Sequence, residues 1–171
     1  TRPGDIATSA QGLPWREGQR VVSIAAGISL KSFQPAVAPA MAVRAMPIAA
    51  SRICHSPTAF FPDDPMVADI FNRIGTAHPF DDESQFGTAS IFGAYYALSY
   101  AFIGEASGWA ERQGLQPVAA RQLAARMVQA AAAVIIDSSE RPPRDLLDDL
   151  MTPGGITEEG LRVLEEKQAI S

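Results

Sequence analysis

A change of pattern near residue 85 constrains this chain more than any other feature. Before it, short apolar runs alternate with helical stretches; after it, strand signal fades and alanine-rich helical patterns take over. Arg20 to Ile28 is apolar nearly throughout and β-branched, which reads as a buried strand. Ser29 is the expected N-cap of a helix through Leu30, Phe33 and Val37. Met41 to Met46 forms a second apolar strand, stopped by Pro47. Two strands joined through a helix make a βαβ unit with parallel strands. Pro57 to Phe61 predicts a third strand. Pro65 opens a helix carrying Met66, Ile70 and Ile74 on one face. Gly75 should end it, leaving His78-Pro79-Phe80 as a last edge strand.

Beyond Asp81 the spacing predicts a helix from about Ser90 to Gln113, stopped by Gly114. A second starts near Pro117 and runs to about Ile136, with Leu123, Met127, Ala130 and Val134 at helical intervals. A third covers Pro143 to Leu150, and a last one Glu158 to Glu166. The expected organisation is therefore an α/β domain over residues 1–85 and an all-α domain over 86–171. Small residues such as Ala130 to Ala133 let helices approach closely, which suits a tight bundle or a subunit interface. A helical half of about 85 residues buries little surface alone, so a homodimer formed through it is expected, with larger assemblies open.

At 171 residues, 47% hydrophobic and 19% charged, the chain can bury a core and make one or two domains. A formal net charge of -5 argues against a nucleic-acid partner, because nothing supplies a basic surface for phosphates. No apolar run is long enough to cross a bilayer, and no cationic leader with an apolar stretch is visible. The one cysteine, Cys54, leaves no internal disulfide and fits a reducing compartment; a soluble cytoplasmic protein is the expectation. His55 and His78 join no Cys/His/Asp cluster at ligand spacing, so no metal site is expected. Cys54 and His55 are neighbours, and on an extended segment they point to opposite faces, which predicts a buried structural cysteine and not a nucleophile. Ser107-Gly108-Trp109 lacks a G-x-S-x-G frame and reads as helix packing. Asp148-Asp149 and Glu158-Glu159 read as solvated charges at helix ends.

One stretch carries more than packing. Met151-Thr152-Pro153-Gly154-Gly155-Ile156-Thr157 is a helix end, a tight turn and a helix start. Pro153 fixes φ and removes a donor, while the glycines permit φ > 0 and close backbone approach. Thr157 is the expected N-cap, with Gly160 where a capping box would place Glu or Gln. The open N–H groups of the new helix could meet a small polar or anionic ligand. A capped turn between two helices accounts for the same residues.

Taken in order, Arg2-Pro3, Val22-Ser23-Ile24-Ala25-Ala26-Gly27-Ile28, Val43-Arg44-Ala45-Met46-Pro47, Gly114-Leu115 and Thr152-Pro153-Gly154-Gly155-Ile156-Thr157 resemble the pyrroline-5-carboxylate reductase family. The resemblance spans essentially the whole chain. It implies the C-terminal part of a Rossmann-type domain followed by a helical dimerisation domain. It implies an NADP- or NAD-dependent oxidoreductase that moves a hydride to a cyclic imine, pyrroline-5-carboxylate or a related small-molecule substrate. Carried over, Thr157 hydrogen-bonds the substrate nitrogen and helps deliver the proton. Thr152, Gly154 and Gly155 line the substrate site with Thr157, and Ala25, Ala26, Met46 and Pro47 border the cofactor.

Three departures accompany it. No G-x-G-x-x-G occurs in the 171 residues, so the usual pyrophosphate cradle is missing from them and these residues alone are expected to be inactive. A proteolysed or partly ordered remainder of a longer protein is the expectation. Ile48 follows Met46-Pro47 where the family has Asn. Phe92, Tyr95 and Tyr96 fall in a region where the family has small residues. These departures leave an alternative: a non-catalytic or substrate-diverged relative that keeps the helical dimer.

Overall fold

A computed structural model describes residues 2–169. Its contacts separate two compact units, Thr1–Ser99 and Tyr100–Ser171. The first holds four strands, β1 (Arg20–Ser23), β2 (Met41–Met46), β3 (Ser56–Phe61) and β4 (Gly75–Pro79), side by side in that order. β1 and β2 are parallel, β3 turns back antiparallel to β2, and β4 is parallel to β3. Helix α1 (Ile6–Ala10) precedes β1; α2 (Leu30–Val37) carries the chain from β1 to β2, and α3 (Pro65–Asn72) from β3 to β4.

β2 explains why this sheet reads as apolar from the sequence. Ala42 packs on one face with Ala10, Phe33 and Val37, while Val43 and Ala45 pack on the other with Phe60, Val67 and Phe71. A strand covered on both faces needs apolar residues at every position, not at alternate ones. The helix starts are fixed by side chains, as expected. Ser29 Oγ accepts the Ser32 N–H at 3.2 Å. Asp64 Oδ1 accepts the Met66 and Val67 N–H groups at 3.0 and 3.2 Å, with Pro65 at the first helical position.

Asp64 is also an ion-pair partner: its Oδ2 takes Arg20 Nε at 2.8 Å, tying the start of β1 to the start of α3. Burial pushes the Asp64 carboxyl upward. The Arg20 hydrogen bond and charge, together with the Val67 and Met66 N–H groups, outweigh it and hold the carboxyl below its ordinary range. At the far edge, Gly75 enters β4 at φ +152°, and a Cβ there would stand 2.1 Å from the Ser56 carbonyl oxygen. Only glycine fits that approach.

Three local expectations change. β1 ends at Ser23 and not near Ile28, its last paired residue standing opposite Arg44, and Ile24 is 64% exposed. Helix α3 stops at Asn72, so Gly75 begins the next strand. Cys54 is exposed: it adopts φ +57° at the end of a 3-10 turn over Ala49–Ile53, and His55 Nδ1 donates to the Ile53 carbonyl at 2.6 Å. The segment is not extended, which removes the basis for burying the thiol.

Helix α4 (Glu83–Ser90) leads into α5 (Phe92–Arg112), which crosses from the first unit into the second. The second unit continues with α6 (Pro117–Asp137), α7 (Pro143–Asp148) and α8 (Ile156–Glu166). Among the described residues, α5 buries only Ser107 and α6 only Ala120, whereas Phe102, Trp109, Met127, Val134 and Ile136 are exposed. Among the described residues no helix is long and apolar enough to cross a membrane.

Candidate functional site

Two places collect the residues singled out from the sequence. The first is the carboxyl end of β1 and β2. These strands run in step, Ser23 opposite Arg44, so Ala25 and Ala26 leave β1 at the end where Met46 and Pro47 leave β2. The Ala25 N–H donates to Ser23 Oγ at 3.3 Å. Open α/β sheets take ligands at this end of parallel strands. Because β3 runs the other way, its own carboxyl end and the α3 N-terminus lie at the opposite end of the sheet.

Two charged side chains at this end engage each other, although Arg44 Nε is buried without a hydrogen-bond partner among the described residues. Glu83 Oε1 accepts the Leu30 N–H, at the first turn of α2, at 2.6 Å and Arg44 Nη1 at 2.7 Å. The Arg44 guanidinium lies 4.7 Å over the ring of buried Phe86. The N-termini of α2 and α3 are thus filled by the chain's own carboxylates, Glu83 and Asp64. Alanine at 25 and 26 keeps bulky side chains away from this end, while the open N–H groups at the starts of α2 and α3, where a pyrophosphate would bind, are already taken. Sequence reasoning missed the Arg44–Glu83 pair. A cation inside an otherwise apolar strand was the available signal, because a buried charge needs a partner.

The second place is the turn before α8. The helix begins at Ile156 and its N-cap is Gly155, so Thr157 is the second helical residue and not the cap. Gly154 takes φ +74°, and a Cβ on Gly155 would stand 2.8 Å from the Thr152 carbonyl oxygen. Both glycines are therefore required by the bend. The Gly155 N–H donates to that same carbonyl at 2.8 Å. The Gly154 N–H donates to Glu158 Oε2 at 2.6 Å. Glu158 stands three residues after the cap, at the position of a capping-box acid, but it takes the N–H of Gly154 and not of Gly155, and Gly155 has no side chain to return the bond, so no capping box forms.

This turn therefore holds a carboxylate, supplied by its own helix. Ile156, Thr157 and Glu158 have N–H groups with no carbonyl one turn back to receive them. Thr152 and Thr157 are exposed. Beside the turn lies a cleft of about 510 Å³ bordered by Arg144, Met151, Gly154, Gly155, Glu158 and Arg162. Both of its arginines are in ion pairs. Arg162 bonds Glu159 and Glu166, and Arg144 lies 3.6 Å from Asp148. The hydrogen bond and charge of Arg162 lower the Glu159 carboxyl, and Glu159 raises the guanidinium in turn. Among the described residues no group of three or more His, Cys, Asp or Glu side chains could hold a metal.

A mixed sheet opened by a parallel β1–α2–β2 crossover, followed by a run of helices, defines a Rossmann-type protein with an appended helical unit. Residues 83–171 match the model of the pyrroline-5-carboxylate reductase dimerisation domain. Pyrroline-5-carboxylate reductase 2 of Bacillus subtilis is 27% identical across 98% of this chain and 63% of its own length. The Escherichia coli pyrroline-5-carboxylate reductase is 30% identical across 86% of the chain and 57% of its own length. The chain thus spans about three fifths of the length of these curated relatives. A crystal structure of 1-pyrroline-5-carboxylate reductase from Streptococcus pyogenes superposes with TM-score 0.82 at 27% identity, over 97% of this chain and 66% of that one. The Plasmodium falciparum pyrroline carboxylate reductase, solved with NADP bound, has the same fold at TM-score 0.85 and 21% identity, over 98% of this chain and 70% of that one. The chain belongs to the pyrroline-5-carboxylate reductase family.

Proposed function

We propose that this chain is part of an NAD(P)H-dependent reductase that converts pyrroline-5-carboxylate, or a related cyclic imine, to the saturated amine. The observation that supports it best is the turn from Thr152 to Thr157. It lies inside the segment shared with the family, and its Gly154 N–H meets a carboxylate at the open start of a helix. The nicotinamide cofactor, NADPH or NADH, supplies the hydride. Ala25, Ala26, Met46 and Pro47 hold its ring by leaving space and excluding water at the carboxyl end of the two parallel strands. The Gly154 and Thr157 N–H groups bind the substrate carboxylate, which displaces Glu158 from Gly154. Gly155 serves by shape, since its N–H is committed to Thr152 and its missing Cβ lets the bend close. The Thr157 hydroxyl hydrogen-bonds the imine nitrogen and holds a proton there, and Thr152 flanks the substrate.

The functional unit on this reading is a homodimer joined through the helical half. A second reading, a substrate-diverged or non-catalytic relative, draws on particular features. Glu158 already occupies Gly154, Ile48 replaces a polar residue, and Phe92 and Tyr95 form an exposed edge-on pair with centroids 6.3 Å apart. NADPH consumption by the full-length protein against pyrroline-5-carboxylate and a panel of cyclic imines separates the two. Thr157→Ala should lower kcat by about a hundredfold with nucleotide affinity unchanged, within the usual range for losing a proton-handling group. Undiminished turnover in that variant removes Thr157 from the chemistry. Absence of both turnover and nucleotide binding in the unsubstituted protein leaves the second reading.

A further inference from the structure

Glu83 ties three elements of the first unit together, α4, the start of α2 and β2. It opens α4, yet its Oε1 accepts from Leu30 at the start of α2 and from Arg44 in β2, at 2.6 and 2.7 Å. The segment between β1 and α2, residues 24–29, carries Ala25 and Ala26; its far end is held by Ile28, packed on the Phe33–Val37 core, and by the Ser29 cap, and Glu83 adds the tie that reaches β2. Ile24 is 64% exposed, and Ala25 makes a 3.3 Å bond to Ser23 Oγ. Arg44 depends on Glu83 as well. Its side chain is 11% exposed, and among the described residues its Nε is buried with no hydrogen-bond partner. Phe86, one turn along α4, supports the other face of the guanidinium. A single carboxylate oxygen thus closes the end of the segment onto the strand that bears Met46 and Pro47.

We propose that Glu83 is a positioning residue for the nicotinamide pocket: through the Leu30 N–H and Arg44 it sets the distance between the 25–26 backbone and the carboxyl end of β2. This rests on the reductase reading of that pocket. Glu83 touches neither cofactor nor substrate; it acts through the segment it holds. The negative charge is required to balance Arg44, whereas the hydrogen bond to Leu30 needs only an acceptor oxygen. Glu83→Gln therefore separates the two contacts, and Glu83→Ala removes both.

Hydrogen exchange and kinetics on the full-length protein test it together. Glu83→Ala should speed exchange of the Leu30 amide and its neighbours by about tenfold or more, while the Val43 and Ala45 amides of the core strand keep their protection. Glu83→Gln should show a smaller change in the same place. In turnover, Glu83→Ala should raise KM for the nicotinamide cofactor by about fivefold or more with kcat nearly unchanged, and Glu83→Gln should recover part of the loss. Uniform loss of protection across the sheet, or unchanged exchange at 25–30, overturns the proposal. So does local loosening with cofactor KM unmoved, since that is a structural tie and nothing more. If the unsubstituted protein neither turns over an imine nor binds nucleotide, the reductase reading fails and takes the positioning role with it. The exchange result then stands as a property of the fold alone, so the two failures are told apart.

Discussion

The two units satisfy themselves differently. In the sheet unit, ion pairs join segments far apart in the chain: Arg20 meets Asp64, and Arg44 meets Glu83. The helices α2, α3 and α4 are capped by the side chains of Ser29, Asp64 and Asp82. Large side chains such as Phe33, Phe60 and Val43 are fully buried. In the helical unit every ion pair among the described residues joins positions no more than eight apart, as in Arg141–Asp149, Arg144–Asp148 and Arg162–Glu159. Helices α6, α7 and α8 have no side-chain cap. Apolar side chains along α5 and α6 stay exposed. The first unit closes its core within one chain. The second presents apolar helix faces that only another surface can cover, and a second copy is the partner we infer for them.

The largest effect should come from breaking a long-range tie in the sheet unit. Asp64→Ala leaves Arg20 without its carboxylate and two N–H groups of α3 uncapped, a loss of about 2–3 kcal/mol in urea unfolding. The wild-type advantage should depend on pH with a defined sign. Because the folded carboxyl lies below its ordinary range, its contribution is present above about pH 4 and is lost as pH falls through the folded value. Unfolding midpoints of wild type and variant should therefore converge on acidification. A gap that stays constant to low pH would assign the loss to packing.

A smaller effect is expected in the helical unit, and it should depend on concentration. Met127 is 62% exposed on α6. Met127→Glu should weaken self-association by about tenfold or more in sedimentation, close to 1.4 kcal/mol, and lower the thermal midpoint most at low protein concentration. A shift independent of concentration, or wild-type protein that sediments as a monomer, would break the contrast between the units. The smallest effect belongs to the exposed network on α8. Arg162→Ala removes the bonds to Glu159 and Glu166 and should leave the unfolding midpoint within experimental scatter, since solvated neighbours on one helix contribute little.

The elements themselves were readable because their signals are local. Ser29 and Pro65 marked helix starts, Gly114 a helix end, and the runs at 41–46 and 57–61 the inner strands, the second of which begins one residue earlier at Ser56. The turn at 152–157 was readable for the same reason, although its cap lies at Gly155 and its acid is Glu158. What escaped was contact between distant segments. Nothing near Arg44 in the chain indicates that Glu83 will balance it, and nothing near Cys54 indicates a left-handed residue that exposes its thiol.

The sequence by itself therefore determined the kinds of element, their order, the parallel β1–α2–β2 crossover and the bend at Gly154-Gly155, all of which follow from propensity, periodicity and the φ angles that Pro and Gly permit. Tertiary structure alone decided the rest: where β1 stops pairing, that β3 reverses and sends the α3 N-terminus away from the carboxyl ends of β1 and β2, and that one carboxylate takes the Leu30 N–H of α2 while neutralising Arg44. Strand pairing and burial of charge are settled between residues tens of positions apart, where local preference carries no information.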